Sequence, residues 1–254
     1  MKLFVNIFTL AFIFFSTTLA TLITPVFAED KKITITVATD ATWPPMEMVD
    51  ENKNIIGFDI DYLNAVAKEA GFNVKYKNVP WDGIFAGVET GKYDAIISSV
   101  TITEERKKAM DFSEPYVNIG QIIVVPKSVK NVRKLTDLLG QNVGAQIGTT
   151  GAFEVKAVKD IKLKTYDEVG LAFEDLMAGR IRAVVCDAPT AANYALQRKE
   201  YKDALQIVGE PFTNEHYGIA VKKGNKKLLE LINKGIHAVK SKGIDKQFEA
   251  KWLK

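Results

Sequence analysis

The sequence predicts an α/β protein built as two lobes with a cleft between them. Apolar residues switch in regular alternation between the strand period and the helix period. The strand–helix alternation runs through one unit and then restarts in a second. The joins between elements are short, with no low-complexity linker and no repeat at fixed period. A chain of 254 residues has room for one large domain or for two lobes of roughly 100 residues each.

The N-terminus stands apart from this pattern. Met1 and Lys2 precede a charge-free run from Leu3 to Ile23 rich in Phe, Ile and Leu, followed by Thr24-Pro25-Val26-Phe27-Ala28. Val26-x-Ala28 is an acceptable small-residue cleavage pattern, so residues 1–28 read as a secretory signal peptide. A retained anchor is the competing reading of an apolar run this long; Ser16, Thr17 and Thr18, together with the cleavage motif, favour removal.

The first unit begins with Ile33, Ile35 and Val37 alternating with Thr34 and Thr36, a strand that ends at Asp40 before the loop "DATWPP". From Asp59, Ile60, Leu63, Val66, Ala67 and Ala70 recur at helical spacing. Asp59 and Asp61 lie in the first turn, and Gly71 is a C-terminal stop. Val74, Tyr76 and Val79 form the next strand, Ile84, Phe85 and Val88 a short helix ending at Gly91, and Ala95-Ile96-Ile97 an apolar strand. This succession predicts parallel pairing with helices on both faces.

The second unit repeats the scheme. Gln121 to Val125 is a strand, Leu135 to Leu139 a helical stretch, and Asn142 to Ala145 a strand entering the turn "QIGTTGAFE". Leu163 to Tyr166, a helix from Asp167 to Ala178 and the strand Ala183 to Cys186 complete it. "YGIAV" (Tyr217 to Val221) returns as a strand, and Leu228, Leu231, Ile232 and Ile236 mark a C-terminal helix. Ligands of such sheets favour the carboxyl ends of the strands.

Composition excludes several function classes. The chain is 47% hydrophobic and 26% charged, with a net charge of +3, which becomes +2 over the remaining 226 residues when Lys2 leaves with the leader. That is no nucleic-acid footprint, and no Lys/Arg block marks a membrane surface. Cys186 is the single cysteine. It allows no intrachain disulfide, and with none near the cleavage site no lipid can be attached there. A diffusible exported protein is retained best between two membranes, so a periplasm is the expected location.

Enzyme signatures fail in detail. "GVETGKY" has three residues between its glycines where a phosphate loop needs four, and Tyr93 stands where magnesium would need Ser or Thr. "GAQIGTTGA" lacks dinucleotide spacing, no G-x-S-x-G elbow exists, and His216 and His237 have no partner at metal-ligand spacing. No metal and no cofactor are expected.

What remains is a polar constellation at strand ends. In "SSVTITEERKKAMDFSEPY", Arg106 occupies the first turn of a helix, where the dipole prefers a carboxylate. A surface ion pair with Glu104, Glu105 or Asp111 would explain it. So would an anionic ligand, because the preceding apolar strand ends at the cleft and Ser98, Ser99 and Thr101 surround the guanidinium with hydroxyls. Asp187 follows the apolar strand Ala183–Cys186 and could receive an ammonium or cap a helix starting near Pro189. An Arg and an Asp facing each other across a cleft suit a zwitterion, the α-carboxylate and α-ammonium of an amino acid. Trp43 and Trp81 lie beside turn prolines at strand ends; as an aromatic slot rather than core they would hold a cationic side chain, with Asp40 supplying opposite charge.

These residues resemble the amino-acid-binding proteins of bacterial ABC importers, the polar and basic amino-acid branch of solute-binding proteins. The resemblance runs in order through "ATDATWPPMEMVDENKNIIGFDIDYLNAVAKEAG", "YDAIISSVTITEERKKAMDFSEPY", "VGAQIGTTG", "AVVCDAPTAANY" and "YGIAVKKG", over essentially residues 32–254. It implies the two-lobed periplasmic-binding-protein fold (Venus-flytrap, type II). One lobe would hold residues 29–116 plus 217–254 and the other residues 121–212, with hinge crossovers at 117–120 and 213–216. By the same resemblance Arg106 grips the ligand carboxylate and Asp187 the ammonium. Ser98, Ser99, Thr101, Thr149 and Thr150 complete the α-carbon site, Trp43 and Trp81 flank the side chain, and Asp40 is its acid. Gln146 would tune specificity, and Cys186 would be a packed thiol beside the site.

The implied function is capture of a free L-amino acid, arginine or lysine first, then glutamine, then histidine, by a monomer that delivers it to an inner-membrane ABC permease. Two rivals share the scaffold. A prephenate or arogenate dehydratase would need a proton donor in the cleft, for which Glu47 and Asp40 are the candidates; the zwitterion clamp argues against it, since prephenate has no ammonium. A sensory receptor input would need a membrane segment downstream.

Overall fold

The computed structural model describes residues 32–254. The leader reading of residues 1–28 lies outside them. Among the described residues no helix is long and apolar enough to cross a membrane.

The first sheet is laid down by β1 (Thr34–Thr39), β5 (Asn73–Asn78), β6 (Ala95–Ile96), β7 (Met110–Phe112) and β15 (Ala220–Lys222), in the order β5-β1-β6-β15-β7. β1 runs parallel to β5 and β6, whereas β15, arriving from the far end of the sequence, is antiparallel to β6 and β7. The period-two pattern of β1 sends Ile35 and Val37 to one face and Ala38 to the other. α1 (Phe58–Ala70) and α7 (Lys226–Ser241) cover the first face; α2 (Ile84–Thr90) covers the second.

The second sheet contains β9 (Gln121–Pro126), β10 (Asn142–Gln146), β11 (Lys162–Tyr166), β12 (Ala183–Asp187) and β13 (Leu205–Val208), in the order β11-β10-β12-β9-β13. β10 is parallel to β11 and β12, and β9 is antiparallel to β12 and β13. β9 is apolar without alternation because both its faces are covered. Ile122 and Val124 pack with α5 (Val169–Met177), while Ile123 and Val125 pack with Leu138 and Val155 on the other side. Between the sheets, β8 (Val117–Ile119) and β14 (Glu215–Tyr217) pair antiparallel where the chain passes from one lobe to the other and back.

Several expectations change in detail. The apolar run expected as one strand from Ala95 through Ile97 pairs only over Ala95–Ile96, and Ser99 takes a left-handed backbone, φ 50°. "YGIAV" is not one strand: Tyr217 ends β14 opposite Val117, and Ala220 resumes opposite Ile96, because the chain changes sheets at Gly218 and Ile219. The stretch at Leu135 is one 3-10 turn, Leu135–Leu138. A small sheet of β2 (Thr42–Trp43), β3 (Glu47–Val49) and β4 (Ile55–Ile56) replaces the expected loop after Asp40.

Candidate functional site

α3 (Glu104–Ala109) begins because Thr103 caps it, its hydroxyl accepting the Arg106 backbone N–H at 3.1 Å. The acids that offered Arg106 a surface partner are engaged elsewhere: Glu104 with Lys107, Glu105 with Lys108, Asp111 with Lys223. The guanidinium instead turns into the cleft. Nη1 donates to the Thr101 carbonyl at 2.8 Å and Nη2 crosses to the Gly148 carbonyl of the second lobe at 3.1 Å. It lies 5.0 Å from the Phe85 ring centroid and 5.4 Å from that of Trp81. Burial lowers its pKa to about 10, opposed by the charges of Asp187 and Glu215, so it remains a cation at neutral pH. Gly148 supplies its carbonyl from a left-handed turn, φ 70°, that packs closely on the Trp81 indole.

Asp187 ends β12 opposite Gln121 of β9. It stands at the N-cap of α6 (Ala188–Ala192), yet its side chain makes no capping bond. Its oxygens accept from Gln121 Nε2 and, at 2.7 Å, from the Tyr217 hydroxyl. The carboxylate is therefore presented to the cleft. Burial raises its pKa to about 7, and the Glu215 charge adds to that rise while the Tyr217 and Gln121 bonds oppose it. Gln121 also donates to Thr150 Oγ1 at 3.1 Å. Thr150 opens α4 (Thr150–Ala157), which Thr149 caps by accepting the Ala152 N–H at 3.2 Å.

The opposite end of the cleft is built around Asp40. Thr42 Oγ1 donates to it at 2.8 Å, and Gln146 Nε2 reaches across the lobes to its Oδ2 at 3.1 Å. Burial raises its pKa, while the bonds from Thr42 and Gln146 act the other way. Gln146 is itself held by a bond to the Asp167 carbonyl at 2.8 Å.

Beneath this lies a pair of fully buried acids, Glu47 and Asp59. Ser98 Oγ donates to Glu47 at 3.0 Å and accepts the Asp40 N–H at 2.9 Å. The Ser99 N–H donates to Asp59 at 2.7 Å, and Tyr116 Oη donates to both Asp59 oxygens. Burial pushes Asp59 up to about 6; burial and the Asp59 charge push Glu47 well above the carboxylate range. Asp59, a first-turn acid of α1, is thus a buried anchor for the Ser98–Ser99 turn. Glu47, with Asp40 one of the two dehydratase candidates, is sealed below the cleft with its side chain fully buried.

Of the eleven residues singled out from the sequence, nine line one pocket: Trp43, Trp81, Ser99, Thr101, Arg106, Gln146, Thr149, Thr150 and Asp187. Asp40 and Ser98 lie outside the lining, one behind Gln146 and the other turned toward Glu47. Trp81 is placed under Arg106 rather than wholly beside the side-chain end. Sequence reading missed Phe85, Gln121, Glu215 and Tyr217. Only Tyr217 and Gln121, each starting a predicted strand, carried any signal, and neither had a partner within sight in the chain. Cys186 is buried beside Asp187, with its thiol pKa pushed up by burial.

The model of the bacterial extracellular solute-binding proteins, family 3, matches residues 35–254. A probable histidine-binding protein of Neisseria gonorrhoeae is 37% identical over 222 residues, covering 85% of this chain and 82% of the relative. An ancestral arginine-binding protein bound to arginine is similar at 44% identity and TM-score 0.83, over 87% of this chain and 98% of that one. An ancestral arginine-binding protein bound to glutamine gives 44% identity and TM-score 0.82, over 87% and 97%. A fold of two sheets joined by paired crossovers, an Arg and an Asp facing one pocket, and a family match over almost all described residues agree: the chain belongs to the bacterial extracellular solute-binding proteins, family 3.

Proposed function

We propose that this protein captures a free L-amino acid with a cationic side chain, arginine or lysine before glutamine and histidine, and hands it to an ABC permease from the periplasm. The observation that carries the reading is the placement of Arg106 and Asp187, from different lobes, on one enclosed pocket. Arg106 takes the α-carboxylate as a planar fork. Asp187, already desolvated, takes the α-ammonium. Because its pKa stands at about 7, an arriving ammonium restores the charge partner that burial withholds.

The local charge count supports a basic side chain. Arg106 is one cation among three acids, Asp187, Glu215 and Asp40. A zwitterion leaves that imbalance unchanged, whereas one extra positive charge reduces it. Asp40 supplies the field at the side-chain end, and Gln146 supplies an amide able to meet either a guanidinium or another amide. Glutamine therefore ranks next. The β8–β14 ladder acts as the hinge, and only closure brings Arg106 and Asp187 onto one ligand, so the ligand stabilises the closed form. Charge-assisted bonds of about 1.5–3 kcal/mol each account for most of a micromolar affinity, about −8 kcal/mol.

Calorimetric titration with a panel of L-amino acids tests this. Arginine or lysine should bind tightest, with glutamine weaker. A tightest ligand that is aliphatic or acidic overturns the side-chain assignment, and no binding by any member overturns the function.

A further inference from the structure

Glu215 lies on the crossover ladder, opposite Ile119 of β8, where the two lobes are joined. Its Oε1 accepts from Thr213 Oγ1 at 2.8 Å. Its Oε2 accepts from Thr101 Oγ1 at 2.8 Å and from Thr150 Oγ1 at 2.7 Å. Thr101 precedes α3 in the first lobe and Thr150 opens α4 in the second, so one carboxylate oxygen gathers a hydroxyl from each side of the cleft. Both threonines line the pocket with Asp187.

A threonine hydroxyl has one proton and two lone pairs. With both protons directed to Glu215, the two oxygens face the pocket as acceptors only. Thr150 Oγ1 also receives Gln121 Nε2, whose other bond goes to Asp187. A continuous polar chain therefore runs from Asp187 through Gln121 and Thr150 to Glu215 and Thr101. A ligand carboxylate can obtain no donor from these hydroxyls and is left to Arg106 and backbone N–H groups. A ligand ammonium meets Asp187 together with two acceptor oxygens.

We propose that Glu215 is a positioning residue for the ligand's ammonium group: by holding the hydroxyl protons of Thr101 and Thr150 it turns their oxygens into acceptors when the lobes are together. The proposal rests on the amino-acid-binding reading and adds to it a residue that touches no ligand. Glutamine at 215 keeps the size but removes the negative charge and leaves one accepting atom, the amide oxygen, for three threonine hydroxyls, so the hold on their protons is weakened.

The test compares L-arginine with 5-guanidinopentanoic acid, which lacks the α-amino group, by calorimetry on the wild type, Glu215→Gln and Glu215→Asp. Glu215→Gln should weaken arginine at least tenfold and the analogue less than threefold, so that the preference for the amino group falls. Glu215→Asp, which keeps the charge and draws it back by one methylene, should fall between. Equal weakening of both ligands marks a merely structural role and overturns the proposal, as does arginine binding within threefold of wild type. If Glu215→Gln does not fold, Thr150→Val and Glu215→Asp are read by the same ratio. A wild type that binds neither compound removes the amino-acid reading and this proposal with it, an outcome distinct from failure at Glu215 alone.

Discussion

The two ends of the cleft are built on opposite principles. At the α-carbon end, every charged group is held by partners that leave its face toward the pocket free: Arg106 by two carbonyls and two rings, Asp187 by Gln121 and Tyr217. At the side-chain end, the charge of Asp40 is set behind Gln146, which reaches it from the other lobe. On the proposed reading the first end grips what all amino acids share. On the same reading the second distinguishes side chains through an amide, and an amide can turn. Rigid recognition and adjustable recognition are, on that reading, divided along one pocket.

The division is broken most severely by Arg106→Ala. Removing one partner of a desolvated charge pair should weaken every amino acid by about a hundredfold or more, with the ligand-free melting temperature nearly unchanged. Calorimetry and a thermal melt check both, and binding within tenfold of wild type would contradict the assignment. Asp40→Asn sharpens the comparison from the other end. It should cost arginine about ten- to a hundredfold, the worth of a charge-assisted bond, and glutamine much less. Equal losses would mean that Asp40 acts on the α-carbon end.

Acidity gives the smallest effect and separates binding from folding. Asp187 must be ionised to hold an ammonium. With its pKa at about 7, affinity should fall up to about tenfold between pH 8 and pH 6. The sign for folding is opposite. Asp187 and Asp59, the latter raised to about 6, take up protons more readily folded than unfolded. Their contribution to stability is full below the ordinary carboxylate pKa and lost as pH rises through 6 and 7. The ligand-free melting temperature should therefore rise from pH 8 to pH 5 while affinity declines. Asp175 works the other way only at lower pH, because Lys164, Tyr166 and Arg180 hold its pKa far down.

How much of this is legible in the chain depends on where each contact's partner lies. The strands and helices of both lobes are written in local periodicity, and nine site residues fall at strand ends and helix starts where a loop must open onto a cleft. Arg106 stood out because its position opposes the helix dipole. Glu215 did not, because a glutamate near a strand end is ordinary and its two hydroxyl partners in the pocket lie 114 and 65 residues away. The burial of Asp59 is hidden for a related reason. An acid in a first helical turn is expected on the surface, and only the fold reveals Ser99 and Tyr116 above it. The split of "YGIAV" between two sheets depends on β8 and β6, neither of which its own alternation can announce.

The central claim is that Arg106 and Asp187, one from each lobe, hold the two charged groups of a single free amino acid. A crystal structure of the complex with L-arginine tests it most directly. The Arg106 guanidinium should pair with the ligand carboxylate and the Asp187 carboxylate with its ammonium, the lobes closed around them. A ligand bound with either group facing solvent, or bound to one lobe without the other, would contradict it.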